Sequence, residues 1–349
     1  MRVGALKHVG VVAWCAGIAA CIGLTAWSGI DAVGNAVASV GWGMPFVMLT
    51  RAATVSVAGA GWWLLFPASG RLRLRAAVLL RFVREAVNAL LPLTQVGGDI
   101  IGARLLTFWA VSGPLAAASI VIDVLMQAVT QLLFAALGLV TLVALGADMT
   151  VAGIAATGLA LAAPMLGGFY LAQRGRGHCI LHYVLSRLKG DSNWRVLGTV
   201  DAVYQCLSMI YARRSSLAAS CLVHVVGWLI GVAEVLIVLG CMGHPVTIGE
   251  ALVIESLVQA VRGAAFAIPS ALGVQEAGMI LLCGIFGIPP DQALALSLIK
   301  RTADLVLGVP GLVALQILEG ERLMANFSRR EAQPRTSLDL QSEVHRGTT

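Results

Sequence analysis

The apolar stretches of this chain constrain its fold more than any other feature of the sequence. Several of them reach or exceed about 20 residues, the length of helix that crosses a hydrocarbon core about 30 Å thick. The mean hydropathy of +0.86 is far above that of soluble folds of this length, and the short alternating segments of a membrane barrel do not occur. The sequence therefore predicts an all-α fold, a polytopic helical membrane protein.

Six stretches are predicted to span the membrane, at residues 9–29, 43–66, 115–145, 150–172, 216–241 and about 303–318. The first stretch has a basic start, as a signal peptide does. Its apolar part is longer than a signal-peptide core, however, and no clear small-x-small cleavage site ends it. We therefore interpret it as an uncleaved span.

Basic residues define the predicted topology. The chain carries 24 Lys and Arg against 18 Asp and Glu, and many of the basic residues lie at 71–84 and 173–215. The positive-inside rule places both segments, and the N-terminus, in the cytoplasm. The tail at 319–349 is charged and lacks apolar periodicity, so it is predicted to be a disordered cytoplasmic segment. The expected parts of the single membrane domain, 1–318, are a first half at about 1–172, a cytoplasmic linker at 173–215 and a second half at about 216–318.

Two segments share an unusual spacing. LPLTQVGGDI at 91–100 places Pro92 seven residues before Asp99, and IPSALGVQEA at 268–277 places Pro269 seven residues before Glu276. A charge lies seven residues before each proline. The charges are Glu85 and Arg262, and the glycines next to the acids are Gly97, Gly98 and Gly273.

The shared spacing predicts a broken helix in each half. Proline removes a backbone donor and biases the preceding residue away from helix, glycine permits a tight turn, and the helix dipole favours an acid at the start of the next helix. Irregular backbone is tolerated in a bilayer only where protein covers it or it lines a wet cavity. With the predicted topology, the hairpins are re-entrant from opposite sides, which is the inverted-topology repeat typical of secondary transporters.

The residues of these hairpins resemble a known family. The pattern LP…GGD-x4-R, followed by P-x-x-LG-x-x-E, is similar to the flippase-like membrane domain of lysylphosphatidylglycerol synthases. The matching residues are Leu91, Pro92, Gly97, Gly98, Asp99, Arg104, Pro269, Leu272, Gly273 and Glu276, and Arg262 and Arg301 also fit the pattern. Among the branches of that family, the chain looks most like the stand-alone members associated with hopanoid-lipid genes.

The resemblance covers about residues 5–320 and implies a bacterial inner-membrane protein that moves or handles lipids. The synthases carry a large soluble aminoacyl-transfer domain after the membrane part, and about 30 residues follow the last predicted span here. The resemblance is therefore not taken to imply that this chain transfers lysyl groups. The second hairpin also lacks the usual glycine pair, so its turn is expected to differ from the first.

Charged residues within the apolar stretches are the candidate binding residues, because each costs about 2.5–3.5 kcal/mol at the bilayer centre and needs a partner or a water path. Asp99 and Arg104 are close enough in sequence to interact, either at a lipid headgroup or as a structural ion pair. Glu255, Gln259 and Arg262 share one helix face, which is expected to line either a cavity or a partner helix.

A second group of charges follows the second hairpin. Glu276 is a candidate partner of Arg262 or of Arg104 across the repeat. Lys300, Arg301 and Asp304 form a cluster that is either a phosphate site or an interfacial anchor with snorkelling stems. The predicted substrate-binding residues are Asp99, Arg104, Glu255, Arg262, Glu276 and Arg301, and the predicted hairpin residues are Pro92, Gly97, Gly98, Pro269 and Gly273.

Isolated charges carry weaker predictions. Arg51 and Asp123 lie in predicted spans and are interpreted as facing another helix or the interface. His224 and Glu234 lie close to one face of a span, and a buried hydrogen-bonded pair is favoured over a proton relay.

Metal binding is not expected. His178 and His182 have a metal-compatible spacing but no third ligand, so a solvated face is favoured. The seven cysteines are scattered and never spaced C-x-x-C, so neither a disulfide framework nor a zinc site is predicted. Gly227 and Gly231 form a GxxxG motif that predicts close helix packing.

The leading hypothesis is a lipid translocator. Arg104, Arg262 and Arg301 would bind an anionic or hydroxylated headgroup between the two halves, while the two hairpin acids hold those arginines or carry protons. The alternatives are a membrane-embedded transferase with Asp99 or Glu276 as general base, and an accessory scaffold for lipid-synthesising enzymes. No nucleotide-phosphate loop, G-x-S-x-G or H-E-x-x-H motif occurs, so no cofactor, no ATP hydrolysis and no nucleic-acid partner is expected.

Overall fold

A computed structural model describes residues 30–332, apart from the short segments 68–71, 91–95, 147–148, 176, 180–182, 184–192, 266–267 and 269–270. The predicted first span at 9–29 and residues 333–349 of the tail lie outside the described residues. Pro92 and Pro269, at the two predicted helix breaks, also lie outside them.

The described residues are helical, with no strand among them. The helices of the first half are α1 (Ile30–Val40), α2 (Met44–Trp63), α3 (Leu74–Leu90), α4 (Gly97–Leu106), α5 (Gly113–Ala144) and α6 (Met149–Ala172). The linker contributes α7 (Asn193–Ala212), and the second half contributes α8 (Arg214–Cys241), α9 (Ile248–Ala264), α10 (Val274–Ile285) and α11 (Pro290–Ala332).

Four of the described helices are long and apolar enough to cross a membrane, which confirms the predicted class. They are α5, α6, α8 and the part of α11 at Pro290–Arg322. The first three coincide with the spans predicted at 115–145, 150–172 and 216–241, whereas α11 begins well before the predicted final span. α2 occupies the stretch predicted at 43–66 but is not among the four.

Helix boundaries follow local chemistry. Pro lies in the first turn of α2 and of α5. A backbone N–H at this position would have no acceptor within the helix, so proline costs no hydrogen bond there. At the start of α9 the Thr247 side chain and Glu250 form a reciprocal capping box. α11 continues to Ala332, so residues 319–332 are helical, although the sequence predicts a disordered tail from 319 onwards.

The order of helices and their packing repeat in the two halves. α2–α3–α4–α5 corresponds to α8–α9–α10–α11, with a break before α4 and before α10. α3 packs against α11 of the other half as α9 packs against α5, and the equivalent helices α2 and α8 pack together. This exchange of partners is the packing expected of two similar units related by a pseudo-twofold axis. The opposite orientation of the halves and the re-entrant course of the hairpins stay predictions.

Two apolar clusters form the core. One is built mainly from α2, α3 and α5, with Trp62, Leu80 and Ile122 at its centre. The other is built mainly from α8, α9 and α11, and includes Val235 and Ile254. Charged side chains are buried along the same helices.

Candidate functional site

Asp123 of α5 is the centre of the polar network in the first half. Its carboxylate is fully buried, and Oδ2 accepts hydrogen bonds from Arg81 Nη1 at 3.0 Å, Arg84 Nη1 at 2.9 Å and Gln127 Nε2 at 2.8 Å. Oδ1 lies 3.2 Å from His224 Nε2 of α8. A buried carboxylate is stable only when it is paired and hydrogen-bonded in this way. The network therefore joins α3, α5 and α8.

Arg84 connects this network to the first hairpin. Its side chain is 2% exposed and donates to Asp99 Oδ1 from Nε at 3.0 Å and from Nη2 at 2.6 Å. The guanidinium carbon also lies 4.6 Å from the centre of the Trp62 ring. Asp99 lies in the first turn of α4, as the sequence predicts for the acid after the break.

The glycine pair of the first hairpin has a packing role. Gly97 and Gly98 are the first residues of α4, and neither has a positive φ. A Cβ on Gly98 would overlap the carbonyl oxygen of Arg84, so glycine permits the close approach of α4 to α3. The predicted tight turn at these two glycines is therefore wrong, because they already belong to the helix.

The glycine of the second hairpin adopts the turn conformation that the sequence predicts. Gly273 has a φ of 78° at the start of α10, a conformation that glycine adopts without strain. Its N–H donates to Glu276 Oε2 at 2.7 Å. Glu276 is fully buried, and its Oε1 accepts from Arg301 Nε at 2.6 Å and from the Ser297 hydroxyl at 3.3 Å. The predicted partners of Glu276, Arg262 and Arg104, are therefore wrong: Arg301 holds it.

Lys300 of α11 is the centre of the polar network in the second half. It is 6% exposed, and its ammonium donates to Glu255 Oε2 at 2.9 Å and to Glu234 Oε2 at 3.2 Å. Glu255 Oε1 also accepts from Gln259 Nε2 at 2.8 Å. This burial excludes the interfacial anchor with snorkelling stems for Lys300.

The two networks have opposite charge at equivalent positions. Lys300 follows Glu276 at the same interval at which Asp123 follows Asp99. In the first half two arginines surround one carboxylate, whereas in the second half two carboxylates surround one lysine. The repeat therefore preserves the place of a buried ion cluster and reverses its sign.

A cleft lies where the two halves meet. It lies between α2, α3 and α11. Its polar wall is formed by Arg51, Glu85 and Asp304, and the remaining wall is apolar, with Phe82 and Leu307 among the lining residues. The cleft thus joins a charged wall to an apolar one.

Asp304 forms ion pairs with two arginines at the charged wall. Oδ1 lies 2.5 Å from Arg51 Nε, and Oδ2 lies 3.6 Å from Arg262 Nη2. The side chains of Arg51, Asp304 and Arg262 are 17%, 13% and 21% exposed. Arg51 and Asp304 line the cleft, and Arg262 is joined to it through Asp304. Arginine carries five N–H donors, so Arg51 and Arg262 can bind a further oxygen ligand beside Asp304.

Arg104 lies outside the network. Its side chain is 67% exposed and pairs with Glu319 at 2.8 Å. Its predicted contact with Asp99 is wrong, because residues five apart on a helix lie on different faces, and Asp99 turns towards Arg84 instead. An exposed pair of this kind contributes at most about 1 kcal/mol.

His224 and Glu234 do not form the predicted pair. His224 contacts Asp123 in the first-half network, and Glu234 contacts Lys300 in the second-half network. The helix that carries them therefore reaches both networks. The GxxxG prediction of close packing is confirmed, because a Cβ on Gly231 would lie 2.9 Å from Glu255 Oε1.

His178, on the predicted solvated face, is partly exposed and contacts an acid. His178 Nε2 lies 2.7 Å from Asp201 Oδ1, and His182 lies outside the described residues. Among the residues that the structure describes, no group of three or more His, Cys, Asp or Glu side chains could hold a metal ion.

The sequence did not identify Arg81 and Arg84 as part of the site. Both lie in a basic segment that the positive-inside rule assigns to the cytoplasm, but they are 6% and 2% exposed. A usable signal was present: Arg81, Arg84 and Glu85 follow each other at i, i+3 and i+4, a single face of α3. The sequence marks Arg51, Asp123 and Glu234 as charges within predicted spans, but it does not indicate that they belong to these networks.

Comparison with known proteins gives one family. The family model described as the lysylphosphatidylglycerol synthase TM region matches residues 14–311, which is most of the chain. No curated protein and no solved structure gives a significant match. The matched segment contains both hairpins, both buried networks and the cleft.

Proposed function

The chain belongs to the lysylphosphatidylglycerol synthase TM-region family, and from that membership we propose that it carries a polar-headed lipid across the bacterial inner membrane. The family and the four candidate spans make it a membrane protein involved in lipid handling. The finer proposal is a translocator with both termini in the cytoplasm, whose substrates include anionic phospholipids or hydroxylated hopanoid-type lipids.

The cleft between α2, α3 and α11 is the observation that carries the proposal. The cleft joins a charged wall to an apolar one, as the boundary between a lipid headgroup and its acyl chains requires. Leu305, Val306 and Val309 of α11 are more than half exposed beside it, and exposed apolar side chains on a membrane span contact lipid. A lipid can therefore place its headgroup in the cleft and its chains against α11.

The charged wall supports an anionic headgroup. Arg51 and Arg262 flank Asp304, and a phosphate can join that carboxylate as an additional partner of the two guanidinium groups. Arginine favours phosphate because its planar donors bind two oxygens at once and its charge does not titrate. Of the predicted binding residues, Arg262 is thus proposed to contact the lipid directly. Asp99, Glu255, Glu276 and Arg301 are proposed to hold the helices that form the cleft.

The test is lipid exchange by purified protein in liposomes. Labelled phosphatidylglycerol, phosphatidylcholine and a hydroxylated hopanoid are offered in separate preparations, and transfer between leaflets is followed with a membrane-impermeant quencher. The test variant is Arg51→Gln/Arg262→Gln. The control is Arg104→Gln, which removes an arginine from the exposed pair with Glu319.

Exchange of the anionic lipid should be slowed about tenfold or more in the double variant, because a hydrogen bond to a charged group contributes about 1.5–3 kcal/mol and 1.4 kcal/mol is tenfold. The Arg104 control should exchange as the unaltered protein does. Equal exchange by the double variant would refute the cleft as the site. No exchange of any lipid by well-folded protein would refute translocation and favour a transferase or a scaffold.

A further inference from the structure

Glu234 of α8 is a buried acid that the ion-pair network does not satisfy. Its side chain is 3% exposed. One oxygen, Oε2, receives the Lys300 ammonium at 3.2 Å, whereas Oε1 is buried and has no hydrogen-bond partner among the described residues. An acid with one oxygen unpaired is the least stable carboxylate of the second-half network.

The neighbouring groups do not supply a second positive charge to Glu234. Lys300 is shared with Glu255, to which it is closer, at 2.9 Å. On α2, Arg51 is held by Asp304 of α11, although the fields of both reach Glu234. Glu234 therefore competes with Glu255 for one ammonium.

Charge balance points to a proton at this position. When Glu234 and Glu255 are both ionised, the group that they form with Lys300 carries one excess negative charge away from water. Burial destabilises such a charge, which favours binding of a proton by one of the two acids. Of the two acids, Glu255 is the better satisfied anion, because Gln259 also donates to it at 2.8 Å. Glu234 is therefore the acid that takes the proton.

The histidine of α8 lies at a different network. His224 faces Asp123 of α5 and, through that carboxylate, Arg81 and Arg84 of α3. A proton on His224 would compensate the first-half network and leave the excess charge at Glu234 unchanged. The two groups are therefore distinguishable by substitution.

We propose that Glu234 is an exchangeable proton-binding site whose protonation is coupled to headgroup binding in the cleft. The inference rests on the proposed function. An anionic headgroup beside Arg51 brings negative charge towards Glu234, which favours proton uptake, and its departure favours release. Linkage is reciprocal, so a proton on Glu234 strengthens binding of the anion by the same factor. A pH gradient can then drive lipid movement.

The experiment measures protons and lipid binding separately. Purified protein in weakly buffered detergent is titrated with short-chain phosphatidylglycerol, proton uptake is followed with a pH-sensitive dye, and binding is followed by calorimetry. Short-chain phosphatidylcholine is the neutral comparison. The test variant is Glu234→Gln, and Glu319→Gln, at an exposed ion pair, is the control. Glu234→Asp retains a carboxyl and keeps the test usable if the first variant folds poorly.

Phosphatidylglycerol should cause uptake of up to one proton per protein molecule in the unaltered chain and in Glu319→Gln, with less uptake for phosphatidylcholine. Uptake should disappear in Glu234→Gln and persist in Glu234→Asp. Binding without uptake, or equal uptake in Glu234→Gln, would overturn the inference and leave the proposed function standing.

Infrared difference spectroscopy provides a second test of proton binding by Glu234, and this test needs no lipid. The unaltered protein should show the carbonyl band of a protonated carboxylic acid that titrates with pH and is absent from Glu234→Gln. A missing band would overturn the inference. If the band is present but no lipid binds, the proton site stands, and the coupling fails together with the proposed function.

Discussion

Asp123→Asn tests whether the buried networks stabilise the fold in the way that their geometry indicates. The substitution keeps the size of the side chain and removes the negative charge that Arg81, Arg84 and His224 share. Removing one partner of a buried ion pair typically costs about 3–5 kcal/mol, because the remaining charge is left without compensation.

The expected loss in the free energy of unfolding lies at the lower end of that range, about 3 kcal/mol. Each arginine keeps another partner: Arg84 keeps Asp99 at 2.6 Å, and Arg81 keeps Glu85 at 2.5 Å and Gln127. The assay is reversible unfolding in mixed detergent micelles, followed by tryptophan fluorescence.

Arg104→Gln is the matched control for this measurement, since it breaks an ion pair that is exposed. Its expected cost is within about 0.5 kcal/mol. A double-mutant cycle of Asp123→Asn with Arg84→Gln should give a coupling energy above about 1 kcal/mol. The reasoning would be refuted if Asp123→Asn cost no more than the control, or if the two network substitutions were additive.

Two further predictions test packing and topology. Gly231→Ala should destabilise the protein by about 1–3 kcal/mol in the same unfolding assay, because its Cβ would lie 2.9 Å from Glu255 Oε1 and Gln259 and Lys300 hold that carboxylate in place. Gly240→Ala, where a Cβ meets nothing within 4 Å, should be neutral or stabilising, and equal effects of the two substitutions would contradict the packing. In variants that keep a single cysteine, a membrane-impermeant thiol reagent applied to intact cells should label exposed Cys241 and should reach exposed Cys179 only after permeabilisation. Labelling of both from outside would contradict cytoplasmic placement of the linker.

Several features of the fold could be predicted because they depend on one segment at a time. The apolar stretches gave the membrane class, and three predicted spans coincide with α5, α6 and α8 within a few residues. The acids of both hairpins lie in the first turn of the helix that follows each break, Asp99 in α4 and Glu276 in α10. A helix dipole and a broken helix are local properties, so residue spacing alone predicts them.

Partners across the network could not be predicted in the same way. Periodicity shows that Glu255, Gln259 and Arg262 share a face, but it does not show which helix that face meets. In the structure Glu255 contacts Lys300, whereas Arg262 contacts Asp304. Arginines in a segment that resembles a cytoplasmic loop were assigned to topology, although α3 buries Arg84 between Asp99 and Asp123.

The sequence by itself determined that this chain is a helical membrane protein with two similarly spaced helix breaks, because hydropathy and proline act over a single stretch of chain. Only the tertiary structure decided which buried charges meet. Lys300 and Glu234 are 66 residues apart in sequence, and their contact at 3.2 Å depends on the packing of α8 against α11. An ion pair requires its partners within about 4 Å, and that distance is set by how whole helices pack against each other rather than by the pattern along any one of them.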